Sequence, residues 1–131
     1  MKQYNLVLIL LVYSLLAGCQ QAVQIDGLPF RQSAQQGSGI INDEGKIIVP
    51  AGEYAKSPSA VINGRYTVET QDSFLLLYDM HHPQEPVIPK KFVQIGYFFD
   101  NITVAQERKN SPMLLIDRNG QSVEVLTSER V

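Results

Sequence analysis

The chain of 131 residues has one cysteine, no tryptophan and two histidines, and charged side chains make up only 18% of it. A single thiol rules out an internal disulfide and any cysteine-based metal cluster. No run of five or more basic residues exists, so no nucleic-acid partner is expected. Prolines at 50, 58, 83, 86, 89 and 112 break any long helix, and no stripe of 3.6-residue period survives over three turns. Beyond Cys19 no apolar stretch is long enough to cross a bilayer.

The amino-terminal end is the most ordered part of the pattern. Met1 to Asn5 is polar with one positive charge, and Leu6 to Leu16 is apolar apart from Tyr13 and Ser14. That length suits the hydrophobic segment of a secretory signal, roughly 7–15 residues. Leu16-Ala17-Gly18 then leads directly into Cys19, the only thiol.

This ending resembles the lipobox of bacterial lipoproteins. The resemblance implies cleavage before Cys19, a diacylglyceryl thioether on its sulfur, and a further acyl chain, such as palmitate, on the new amino terminus. Gln20 stands where an Asp favours inner-membrane retention in that family. A cell-envelope location is therefore implied, at the outer membrane facing the periplasm rather than the inner membrane. Each buried CH₂ of an acyl chain contributes about 0.8 kcal/mol, so two or three chains would hold the domain to the bilayer. The alternatives are an ordinary signal peptide with a nearby cysteine, or a short amino-terminal membrane helix.

Three segments follow: the signal peptide 1–18, the lipidated cysteine with a tether at 19–38, and a β-repeat domain at 39–131. The stretch 20–39 is rich in Gln, Ser and Gly and reads as a flexible connection, in which Gly37→Val is expected to be nearly silent. Thereafter short apolar clusters alternate with turn signals. Asn63-Gly64, between Val61-Ile62 and Tyr66-Thr67-Val68, is a strong two-residue hairpin signal. Phe74–Asp79, Phe92–Phe99, Ile102–Val104, Met113–Ile116 and Val123–Val125 are further strand candidates. The expected fold is all-β, with eight or nine short antiparallel strands and hairpins.

An internal period near 38 residues is also present. Asn42 aligns with Asp79 and Asp117, Pro50 with Pro89, and Asn63-Gly64 with Asp100-Asn101, giving about 2.5 copies of one unit. Gly39-Ile40-Ile41-Asn42-Asp43-Glu44-Gly45-Lys46-Ile47-Ile48-Val49-Pro50 resembles the core of the bacterial WG repeat. The signature tryptophan of that family is absent, and Met80 to Glu85 replaces the tight Gly turn in the second copy. The resemblance implies a scaffold of stacked β units and carries no common activity.

Chemistry-bearing clusters are few. His81-His82, with Asp79 and Glu85 nearby, is the only group with metal-ligand residue types. Adjacent histidines on an extended chain point to opposite sides, and nothing completes a tetrahedral set, so neither metal nor cofactor is expected. Asp43-Glu44 and Asp117-Arg118 occupy turns that their side chains stabilise locally. The leading reading is a membrane-anchored, non-enzymatic binding or accessory module for an envelope protein or glycan component. Its exposed candidates are Arg65, Glu69, His81 and His82, and its lipid contact is Cys19. The alternatives are a small envelope hydrolase using the His81/His82 loop, and a purely structural spacer.

Overall fold

A computed structural model describes residues 23–126, and every regular element among them is a β-strand. The strands are β1 (Ile25–Ser33), β2 (Gly37–Asn42), β3 (Ile47–Tyr54), β4 (Val61–Ile62), β5 (Arg65–Glu69), β6 (Leu75–Asp79), β7 (Gln94–Ile95), β8 (Ile102–Gln106), β9 (Met113–Asp117) and β10 (Ser122–Leu126). They form a six-stranded sheet ordered β3-β2-β1-β4-β5-β6 and a four-stranded sheet ordered β10-β9-β8-β7. All strand pairings are antiparallel. The all-β expectation holds.

Turn chemistry sets most of these connections. Asn63 and Gly64 both have positive φ, at 51° and 80°, and Ile62 pairs with Arg65 across them. That is the type I′ geometry whose twist matches a hairpin. Asn42 Oδ1 accepts hydrogen bonds from the backbone N–H groups of Glu44 and Lys46, and Asp117 Oδ1 does the same for Asn119 and Gln121. Asp79 Oδ1 accepts from the N–H of His81. The three residues aligned by the 38-residue period thus each fold the backbone back on their own side chain, replacing ladder bonds that a turn forfeits.

Two stretches differ from their sequence reading. Residues 25–38 are not a tether: β1 is an inner strand, paired with β2 from Gly27 to Ser33 and with β4 at Ile25 and Gly27. Gly37 has φ +71° and its Cβ would lie 3.1 Å from both the Gly52 Cα and the Tyr54 carbonyl, so Gly37→Val strains the β1–β2 hairpin and is not silent. The Phe92–Phe99 segment is not one long strand either. Only Gln94–Ile95 forms a ladder with β8, while Phe92 bridges Leu75 of β6 and Phe99 makes an isolated bridge to Ile102. Cys19 and the leader lie outside the described residues.

The interior has two centres. Ile40, Val49, Tyr54, Val61, Tyr66 and Val68 make the first, and Leu77, Phe92, Phe98, Ala105, Leu114 and Ile116 the second. The β5–β6 hairpin divides them, for a physical reason that follows from the strand period of two. Tyr66 and Val68 face the first core together with Tyr78, the cross-strand partner of Tyr66, while Leu77 faces the second.

Candidate functional site

The turns at Asn63-Gly64, Asp79–His82 and Asp117–Gly120 gather at one end of the molecule, where the described chain also begins. Asn63 is the hub of that end. Its N–H donates to the Gln24 carbonyl at 2.9 Å, and its Oδ1 accepts from the Gln24 N–H at 3.1 Å. Its Nδ2 donates to the Phe98 carbonyl at 2.7 Å, joining the two sheets. Next to it, the Gly64 N–H donates to Asp26 Oδ2 at 2.7 Å, and the Met80 N–H donates to the Gly64 carbonyl at 3.0 Å. Sequence reasoning found the turn but not these partners, which are distant along the chain.

Arg65 follows this turn and points to the second sheet. Its guanidinium pairs with Asp79 Oδ2 at 3.2 Å, and its Nε donates to the Arg118 carbonyl at 3.0 Å. Burial lowers the Arg65 pKa from its ordinary value, Asp79 opposes that shift, and the Arg118 charge reinforces it. Arg118 itself lies over the Phe98 ring, 5.9 Å from the centroid. Arg65 also lines two concavities. One, of about 230 Å³, is polar, with Asp79, His82, Glu85 and Asn119 around it. The other, of about 190 Å³, runs between the sheets beside Ser59, Thr67, Tyr97 and Phe98.

The predicted binding residues therefore divide. Arg65 and His82 meet at one concavity, but Arg65 is largely buried where an exposed side chain was expected, because Asp79 and Arg118 hold it inward. His81 is exposed, with its N–H engaged by Asp79. Glu69 sits at the far end of β5 and pairs with Lys56 at 3.3 Å, an exposed contact of small energetic weight. Among the described residues no cluster of three or more His, Cys, Asp or Glu could hold a metal ion, and no imidazole hydrogen-bonds to a carboxylate.

A tyrosine cluster backs this end. The Tyr54 and Tyr66 hydroxyls are 2.7 Å apart, Tyr54 donates to the Pro83 carbonyl at 3.4 Å, and Tyr66 stacks on Tyr78 with centroids 5.4 Å apart. Burial raises the pKa of all three phenols, most strongly that of Tyr66. Such groups remain neutral hydrogen-bonding partners and fix the Pro83 loop to the first core.

Compared with family models, curated proteins and solved structures, the chain matches none of them.

Proposed function

We propose that this chain is a lipid-anchored lipoprotein of the bacterial envelope, whose β domain is a non-enzymatic binding or accessory module for an envelope protein or glycan component. The observation that carries the reading is Leu16-Ala17-Gly18-Cys19 at the end of the apolar segment Leu6–Leu16. The domain supports it with a rigid two-sheet frame and a polar concavity at Arg65, His82, Glu85 and Asn119 that can receive hydrogen-bonding groups. A hydrolase built on His81 or His82 draws little support from this loop. Both Asp79 oxygens are already engaged, one by Arg65 and one by the His81 backbone.

Cys19→Ser in the full chain, expressed in a bacterial host fed labelled fatty acid, is expected to lose the label and leave the membrane fraction. Continued labelling would overturn the anchor. A photo-crosslinking residue at position 82, with another at position 35 as a comparison, tests the binding role in intact envelopes. Adducts from position 82 alone are expected. Absence of adducts from the anchored protein at either position would favour the spacer.

A further inference from the structure

Several exposed apolar side chains stand near where the described chain begins. Val23 and Phe99 line one shallow depression with Asn63 and Asp100, and they are 43% and 62% exposed. Ile102, bridged to Phe99, is 45% exposed, and Ile25, two residues after Val23, is 54% exposed. Contiguous apolar surface of this kind marks a contact face. We infer that the apolar patch of Val23, Phe99 and Ile102, separate from the His82 concavity, lies against the lipid bilayer and enters its interfacial layer.

The occupant follows from chain length, and the inference rests on the anchor reading above. Four steps separate Cys19 from Val23, and a chain spans at most about 3.6 Å per residue, so Val23 lies within about 14 Å of the lipidated cysteine. The Gln24–Asn63 hydrogen bonds hold that point against the hub turn, and Asn63 Nδ2 ties it to Phe98, next to Phe99. The short lead thus leaves this face next to the membrane. Aromatic and aliphatic side chains are stable at the headgroup boundary, where Phe99, Val23 and Ile102 lose contact with water. Asp26 and Asp100 stand at the same end. The contact therefore draws on apolar burial and not on attraction to anionic lipid.

The chain contains no tryptophan, so a single one introduced at a chosen position is an unambiguous reporter. Full-length lipidated Phe99→Trp would be reconstituted in phosphatidylethanolamine–phosphatidylglycerol vesicles, with and without brominated acyl chains. Gln35→Trp, in the turn beyond β1 and about 30 Å away along that strand, is the comparison. Emission from position 99 is expected to shift to the blue and to lose the larger part of its intensity to bromine, while position 35 is unaffected. Position 99 as solvent-exposed as position 35, or both equally quenched, would overturn the inference. The mass of the amino-terminal peptide reports acylation separately. An unmodified Cys19 in the same sample would overturn the anchor reading itself, and this inference with it.

Discussion

Asp79 divides its two carboxylate oxygens between a turn and a charge. Oδ1 accepts from the His81 N–H, and Oδ2 faces the Arg65 guanidinium. Asp79→Asn keeps the turn acceptor and removes the charge, leaving a partly buried guanidinium without its counter-ion. The expected cost is about 1–2 kcal/mol, between the limits for exposed and for buried ion pairs. Chemical denaturation of the two proteins measures it, and equal midpoints would show that solvent already screens the pair. At this scale the sequence was legible wherever a side chain acts on its own neighbourhood. Asn42, Asn63-Gly64 and Asp117 announce their turns because an Asx side chain or a positive φ is a local requirement. The reach of Asn63 to residues 24 and 98 was not legible, since no local pattern encodes a partner more than thirty positions away. Arg65 drew notice as an exposed charge, yet its role at the concavity depends on Asp79 and Arg118 brought in by other strands.

Among the strands, β3, β5 and β6 each bring a tyrosine to the same cluster, and its protonation is part of the packing. The folded protein holds Tyr54, Tyr66 and Tyr78 protonated above their ordinary value of 10.0, whereas the unfolded chain releases those protons. The stabilising contribution is complete below pH 10 and declines above it, by up to about 1.4 kcal/mol per pH unit for each phenol held back. Alkaline titration followed by ultraviolet absorbance should show these phenols ionising together with loss of fold. Stability that is flat from pH 9 to 11 would contradict this. The β4–β5 and β9–β10 hairpins could be read from their turn residues, and β6 and β8 as single strands. β1 could not, because its composition is that of a linker and Pro29 argues against an inner strand. The fold accommodates Pro29 because β4 spans only two residues and pairs with β1 at Ile25 and Gly27, so the flank beyond Gly27 has no ladder to interrupt.

For the whole molecule, the shared β5–β6 hairpin makes the two cores interdependent. Ile40 belongs to the first core and Ile116 to the second, and both are fully buried. Ile40→Ala and Ile116→Ala should each cost about 2–5 kcal/mol, and each should lower one common melting transition. Two separate transitions, each responding to one variant, would show that the cores fold independently. The 38-residue period anticipated repeated turns more successfully than it anticipated sheets. Asn42, Asp79 and Asp117 recur as equivalent folds of the backbone, but β1 joins the first sheet from outside the aligned region, and the sheets differ in strand number. The position of β1 also has a mechanical meaning. The domain is entered through an inner strand, flanked by β2 and β4. Tension applied at the amino-terminal end runs along that strand, across hydrogen bonds that lie perpendicular to it. Such a load shears the ladder as a unit instead of unzipping it rung by rung, as it would at the edge strand β10. Traction is therefore met chiefly by the β1–β2 ladder, from Gly27 to Ser33, loaded in shear.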